Sequence, residues 1–320
     1  LAHTNAEFKQ LGEMANYLQK KHGSKYGVFR SIVEASNKAV ERELSLADEV
    51  KRGSSASKEV YNKHAVPEIK VEVPRELLID KRLIAAEFAQ GASIFSMAPK
   101  YQEEFAQKIL AIESDNLFSD RDQIYFDPDR HPGNYRVYVD SNGKQFLRPI
   151  DFGQLVSVTR AEREQIFDLF AIAQILKKTG STQWAAKKIS QIMGVNSKVA
   201  DKIQRALTTY FPSPDLKEVT AYFSVLSALR DAGHPTKIEY FDFIRAIIQL
   251  NQYEALVQSG QKILTPKQRL ETVVTQKAAA FVNEMQLTPG EKLKIVITQA
   301  REDAKKDPCK GVLMRTIQML

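Results

Sequence analysis

The chain has 320 residues, a length that allows one large bilobal fold or two ordinary domains. Its lysines and arginines exceed its acidic residues by seven, and 43% of its residues are hydrophobic, which excludes wholesale disorder. The single cysteine, Cys309, excludes a disulfide framework and a multi-cysteine zinc site. No apolar run approaches the roughly 18 residues of a transmembrane helix. No nucleic-acid-binding signature accompanies the positive charge, so we expect no nucleic-acid partner.

Helical periodicity dominates the first fifty residues, and an alternation of apolar and charged residues follows it. A proline ends the first alternating run, because proline cannot donate a hydrogen bond to a strand ladder. The pattern predicts helices over 7–21 and 28–51, a loop over the glycine- and serine-rich run 53–57, and strands over 69–73 and 81–88.

The middle of the chain carries the strongest turn signal. Asn142-Gly143 lies between two alternating apolar runs and predicts a β-hairpin. Everything after Gly153 is predicted to be helical, starting with a capping box from Thr159 to Glu162. The predicted elements are a helix over 99–117 and strands over 123–126, 135–139 and 145–150. Together the patterns predict an α+β fold in which the sheet and the helices are segregated.

Two short motifs flank the predicted hairpin. Residues 125–134 read Tyr-Phe-Asp-Pro-Asp-Arg-His-Pro-Gly-Asn, and residues 150–153 read Ile-Asp-Phe-Gly. Asn134 follows Asp129 by five positions, the separation found in the catalytic loop of phosphoryl-transfer enzymes, where Asp-Phe-Gly supplies a further metal ligand. A hairpin turning at 142–143 places Asn134 and Asp151 side by side. We therefore predict that Asn134 and Asp151 bind one Mg²⁺ and that Asp129 is the catalytic residue.

Residues 126–134 resemble the His-Ala-Asp-Pro-His-Pro-Gly-Asn loop of the UbiB/AarF family of atypical protein-kinase-like proteins. Residues 43–49 resemble the glutamate-rich helix of that family, and residues 83–91 resemble its strand-and-hinge segment. The resemblance covers roughly residues 30–195. Four residues depart from the family pattern: Asp127 replaces His, Arg130 replaces Pro, Ser45 replaces an acid and Arg52 replaces Asn.

The resemblance implies a protein-kinase-like bilobal fold that binds ATP with Mg²⁺ and supports isoprenoid-quinone (ubiquinone) biosynthesis. It also implies that Glu43, Glu49 and Glu87 border the nucleotide. Residues 1–91 would form an incomplete small lobe, and residues 92–320 a mostly helical large lobe with a helical extension from about residue 197. The family's Lys-x-Gly-Gln helix, Ala-rich loop and ATP-binding lysine are not found in residues 1–42, and the start at Leu1 favours their lying upstream.

Two alternatives stay open, namely a nucleotide-regulated pseudokinase that acts as a binding module and a small-molecule phosphotransferase. The acceptor is not predicted beyond a lipid or a component of quinone synthesis. We expect a cytoplasmic protein whose membrane contact, if any, is peripheral rather than integral, because no span exists, the chain is basic, and the predicted helices over 266–299 carry an apolar stripe. Ordinary packing of that stripe against the large lobe is the other interpretation.

Overall fold

A computed structural model describes residues 2–22, 27–43, 45–61, 69–80, 83–211, 218–234, 236–257 and 264–285. The chain divides into two compact units. The first unit comprises Leu1–Ile166 and Pro235–Thr272, and the second comprises Phe167–His234 and Val273–Leu320. The predicted lobe boundary near residue 91 stays a prediction.

Three helices open the first unit: α1 (Ala2–His22), α2 (Gly27–Glu43) and α3 (Leu46–Ala56), followed by one turn of π-helix (Ser57–Tyr61). The predicted first helix is confirmed. The prediction of one continuous helix over 28–51 is wrong, because Ser45 starts a new helix: its carbonyl accepts the amides of Asp48 and Glu49.

The predicted loop over 53–57 is also wrong, since this run is helical to Ala56 and continues as the π turn. The small residues serve packing instead of a turn. Gly53 and Ala56 are buried, and a Cβ atom on Gly53 would lie 3.2 Å from a ring carbon of Phe152.

Three small sheets complete this unit, and all three predicted strands between residues 123 and 150 are present. Strand β1 (Ile69–Val71) runs parallel to β6 (Gln145–Pro149), which pairs antiparallel with β5 (Tyr135–Val139). Strands β2 (Glu76–Asp80) and β3 (Leu83–Ala86) form a second sheet, and β4 (Gln123–Phe126) and β7 (Val156–Thr159) form a third. Strands β2 and β7 were not predicted, so the expectation of helix throughout after Gly153 is wrong at β7.

The predicted hairpin joins β5 to β6. Its turn contains Gly143 with a φ of +79°, and the Gly143 amide donates to the carbonyl of Asp140. After β7 the predicted capping box forms, because the Thr159 amide donates to Glu162 and the Glu162 amide donates to the Thr159 hydroxyl. With α4 (Pro99–Leu117) and α9 (Glu239–Glu254), helices outweigh strands in this unit. The α+β class is confirmed.

The second unit is helical. It contains α6 (Thr182–Met193), α7 (Ser197–Tyr210) and α8 (Glu218–Asp231), with the later parts of α5 (Arg160–Thr179) and α10 (Pro266–Glu284). Phe170 stacks on Tyr222 with ring centroids 4.0 Å apart, and Phe281 of the predicted apolar stripe packs against Trp184. This burial of Phe281 favours ordinary packing of the stripe. Of the helices that the structure describes, none has the length and apolar character to cross a membrane.

Gly91 provides a test of backbone constraint in the first unit. It has a φ of +132°, and a Cβ atom there would lie 2.8 Å from the carbonyl oxygen of Val137. Gly91→Ala is expected to lower the free energy of unfolding by about 2–3 kcal/mol, because strain and a backbone clash combine. Gly143→Ala, at an open position with φ +79°, is the control and should cost about 1 kcal/mol. Urea denaturation measures both; equal losses would contradict the clash.

Candidate active site in the turn after strand β4

The turn between β4 and β5 is built by its own polar side chains. Asp127 accepts the amide of Asp129 at 2.8 Å, and His131 Nδ1 accepts the amide of Gly133 at 3.0 Å. Pro132–Asn134 then forms one 3-10 turn that leads directly into β5. His131 therefore stabilises the loop by local hydrogen bonding. The sequence Asp-Pro-Asp-Arg-His-Pro-Gly-Asn thus folds into a compact turn with Asp129 and Asn134 on it.

Asn134 is buried at the end of this turn. Its Nδ2 donates to the carbonyl of Asp129 at 2.9 Å, which fixes the amide plane. No donor to its Oδ1 is found in the described part of the chain. An amide held by its nitrogen in this way can offer its oxygen to a cation.

Asp151 lies at the other end of the hairpin, directly after Ile150, whose backbone contacts that of Asn134. The amide of Ile150 donates to the Asn134 carbonyl at 2.9 Å, so the hairpin brings these two segments together as its turn predicted. Asp151 is exposed and has a φ of +60°, the left-handed conformation, which costs a non-glycine residue roughly 1–2 kcal/mol. Strain of this kind is characteristic of functional positions.

Arg130 joins the turn to the Asp-Phe-Gly segment. Its side chain is fully buried, forms an ion pair with Asp127 at 2.7 Å and donates to the Ile150 carbonyl at 2.7 Å. The guanidinium also lies over the ring of Phe152, 4.9 Å from its centroid. Burial raises the pKa of Asp127 to about 6, and the charge of Arg130 opposes that rise. No sequence pattern indicated this contact between Asp127 and Arg130.

A second buried cluster, formed by Tyr61, Glu113 and Tyr135, lies next to the turn at the start of β5. Glu113 of α4 is buried, and one of its carboxylate oxygens accepts the hydroxyls of Tyr61 at 2.7 Å and Tyr135 at 2.5 Å. Burial raises the pKa values of both tyrosines, so they stay protonated donors near neutral pH. None of these residues was identified from the sequence.

Asp129 is contacted from α9. Arg245 Nη2 lies 2.7 Å from Asp129 Oδ1, and Gln249 Nε2 donates to the same oxygen at 3.2 Å. The two residues are one helical turn apart and more than a hundred positions after Asp129. No sequence pattern indicated them.

Glu43, Glu49 and Glu87, which were predicted to border the nucleotide, lie in three different elements or loops. Glu43 ends α2, and its side chain lies outside the described residues. Glu49 lies in α3 and is partly exposed. Glu87 follows β3, and its carboxylate accepts the Arg75 amide at 2.9 Å, which gives it a partner in the backbone of the β2–β3 sheet.

Glu76, at the start of β2, was not predicted. Its Oε2 atom is buried and accepts no hydrogen bond from the residues described. Burial, with the nearby charges of Glu49 and Asp151, raises the pKa of Glu76 to about 7. The charges of Glu49 and Asp151 therefore add to the effect of burial in disfavouring the ionised form of Glu76.

The donors at the hairpin end suit Mg²⁺. This ion prefers hard oxygen ligands and is commonly bound by one or two protein oxygens together with phosphates and water. The Asn134 amide oxygen and the Asp151 carboxylate meet that description. Within the described ranges no group of three or more His, Cys, Asp or Glu forms a self-sufficient metal centre. The Asn134 and Asp151 oxygens thus fit Mg²⁺ whose remaining ligands would be phosphate and water.

Comparison with known protein families matches residues 3–182, more than half of the chain, to the ABC1 atypical kinase-like domain. The matched segment contains the turn after β4 and the Asp-Phe-Gly residues, and it ends at the start of α6. Comparison with curated proteins gives no match.

The buried pair of Asp127 and Arg130 gives a stability prediction. Asp127→Asn removes the carboxylate and leaves the charge of Arg130 buried, so we expect a loss of about 3 kcal/mol in the free energy of unfolding. Asp115→Asn is the matched control, because Asp115 also forms a 2.7 Å ion pair, with Arg269, but both side chains are much more exposed. That change should cost less than about 1 kcal/mol. Equal losses in chemical denaturation would contradict the role of burial.

Glu76 gives a pH prediction for the metal-free protein. A carboxyl whose pKa is raised by folding destabilises the native state when ionised, so this penalty is absent below pH 4.5 and complete above about pH 7. Glu76→Gln is therefore expected to raise the midpoint of thermal unfolding at pH 8 and to have no effect at pH 4.5. The control is Glu13→Gln at an exposed position of α1. A gain at pH 8 of the same size in the control would contradict the prediction.

Proposed function

Because the chain belongs to the ABC1 atypical kinase-like family, we propose that it binds ATP with Mg²⁺ and transfers or hydrolyses the terminal phosphate. One observation carries the proposal. The Ile150 amide, directly before Asp151, donates to the Asn134 carbonyl across the β5–β6 hairpin, and the Asn134 side chain donates to the Asp129 backbone carbonyl. These two contacts support a shared site for Asp129, Asn134 and Asp151.

Each of these residues has a distinct proposed role. Asn134 and Asp151 would hold Mg²⁺, which neutralises charge on the ATP phosphates when it is bound. Asp129 would accept a hydrogen bond from the attacking hydroxyl or water and orient it toward the phosphate. The left-handed backbone of Asp151 and the hydrogen bond from the Gly153 amide to its Oδ1 prearrange this carboxylate, so it needs little reorganisation on binding.

The observations that support a nucleotide-binding role differ between Glu43, Glu49 and Glu87. The charges of Glu49 and Asp151 both raise the pKa of Glu76. This shared effect supports a position for Glu49 near the proposed metal ligand Asp151. The backbone contact of Glu87 supports a structural role, and Glu43 is proposed from the family resemblance alone. The link to isoprenoid-quinone synthesis rests on the same resemblance, and the acceptor is left as a lipid or a quinone-pathway component.

The test compares two carboxylates with different proposed roles. Asp151→Asn removes the charge that attracts Mg²⁺ with almost no change in shape, so metal-dependent nucleotide binding should weaken by at least about tenfold. Asp129→Asn should leave the dissociation constant of Mg²⁺-ATP within about twofold and lower turnover by about a hundredfold or more. Calorimetry measures binding, and phosphate release with and without candidate acceptors measures turnover.

Asp120→Asn, at an exposed position outside the turn, is the control and should change neither quantity. The proposal would be overturned if Asp151→Asn and Asp129→Asn both kept the turnover rate of the wild type. Nucleotide binding by the wild type without transfer or hydrolysis would indicate a pseudokinase that acts as a binding module. Phosphate transfer to a soluble small molecule alone would indicate a small-molecule phosphotransferase.

A further inference from the structure

Helix α9 reaches the proposed catalytic carboxylate from a part of the chain that the family match does not include. We propose that Arg245 and Gln249 of this helix are positioning residues that orient Asp129 for phosphoryl transfer. The inference rests on the proposed function and adds to it a contribution from the C-terminal half of the chain.

The geometry of the contact favours a role in orienting the Asp129 carboxylate over a role in blocking its access to the acceptor. Arg245 and Gln249 both donate to Oδ1 of Asp129, at 2.7 and 3.2 Å. Its Oδ2 accepts no hydrogen bond from the part of the chain that is described. Two donors on one oxygen fix the rotation of the carboxyl group and leave the second oxygen for the proton of an attacking hydroxyl or water. In this proposal Arg245 keeps its contact with Oδ1 while the acceptor hydroxyl or water donates to Oδ2.

The helix that carries these donors is anchored on both sides of them. Before them, Phe243 packs edge-on against Phe126, the last residue of β4, with ring centroids 5.6 Å apart. After them, Tyr253 packs edge-on against Tyr135, the first residue of β5, with centroids 6.2 Å apart. The two aromatic contacts thus pack α9 against the strands on either side of the turn that contains Asp129. A support of this kind holds Arg245 in register with the carboxylate.

A third contact ties the same helix to the N-terminal part of the unit. Asp242 is buried and forms an ion pair with Arg42 of α2 at 2.8 Å. Burial raises the pKa of Asp242, and Arg42 opposes that rise. Helix α9 therefore links α2 to the turn after β4.

The pair between Arg245 and Asp129 adds little to stability by itself. The Arg245 side chain is 38% exposed and that of Asp129 is 24% exposed, and ion pairs at such positions contribute roughly 0–1 kcal/mol. Its loss should therefore appear in the chemical step much more than in folding. Misplacement of a reacting group by about 1 Å can cost on the order of a hundredfold in rate.

The experiment uses steady-state turnover of Mg²⁺-ATP by the whole chain, with thermal unfolding measured on the same samples. Arg245→Gln should lower kcat by about ten- to a hundredfold and leave KM for ATP within about twofold, because ATP is held by other residues. Arg245→Lys, which keeps a charged donor, should recover part of the loss. Gln249→Leu should lower kcat by less than Arg245→Gln does, because its hydrogen bond is longer and uncharged.

Arg269→Gln is the matched control. It removes an ion pair of the same length, with Asp115, that has comparable exposure on the arginine side, and it should leave kcat unchanged. The double variant Asp129→Asn with Arg245→Gln should be no slower than Asp129→Asn alone, because a positioning residue acts only through its target. A purely structural role would give additive losses and a lower unfolding midpoint.

The outcomes separate this inference from the function on which it rests. A drop in kcat for Asp129→Asn together with wild-type kcat for Arg245→Gln would overturn the positioning role and leave the proposed function intact. A rise in kcat for Arg245→Gln would also overturn it, since the arginine would then be a block. Absence of turnover in the wild-type protein, or its retention in Asp129→Asn, would overturn both.

Discussion

The guanidinium of Arg130 holds together the two segments on which the candidate site depends. A fully buried arginine is costly unless its charge is compensated, and here a carboxylate, a backbone carbonyl and an aromatic face surround the guanidinium. Its two Nη atoms donate hydrogen bonds, whereas its buried Nε has no hydrogen-bond partner among the described residues. The carbonyl belongs to Ile150 and the ring to Phe152, the two neighbours of Asp151. The position of Asp151 is therefore set by a residue of the turn that carries Asp129.

The same constraint couples Arg130 to a second buried residue of the turn. An arginine at position 130 needs a counter-charge within the buried turn, and Asp127 supplies it at 2.7 Å. Asp127 also accepts the amide of Asp129, so the carboxylate that neutralises Arg130 shapes the turn as well. Replacement of only one of the two residues would leave an uncompensated charge in a water-excluded space.

Support for the site comes from elements that are remote in sequence but continuous in space. Glu113 of α4 holds the hydroxyl of Tyr135 beneath the turn, and α9 packs on the strands at both ends of it. Gly53 packs closely against the Asp-Phe-Gly segment, since a Cβ atom there would lie 2.9 Å from Glu76 Oε2 and 3.2 Å from a ring carbon of Phe152. The proposed chemistry thus depends on a core that surrounds the turn and the Asp-Phe-Gly segment.

Local sequence patterns were sufficient to predict most helices and strands near the site. The Asn142-Gly143 turn, the strands that flank it and the helix over 99–117 depend on neighbouring residues alone, so their patterns predicted them correctly. The backbone contact between Asn134 and Ile150, the neighbour of Asp151, followed from the same hairpin. Where small residues serve packing, as in the run 53–57, the local pattern indicated a loop, because composition cannot distinguish a turn from a close contact.

Only the tertiary structure identified the partners of the predicted residues. Arg245 lies 116 positions after Asp129, and Glu113 lies 52 positions after Tyr61, and no periodicity relates residues at such separations. Strands β2 and β7 likewise formed through pairing with β3 and β4. From the sequence we predicted a set of candidate site residues and the hairpin that joins their two segments, and the structure contains that hairpin. Which side chains neutralise, orient and enclose those residues was decided by packing between distant segments, because hydrogen bonds and burial depend on distance in space.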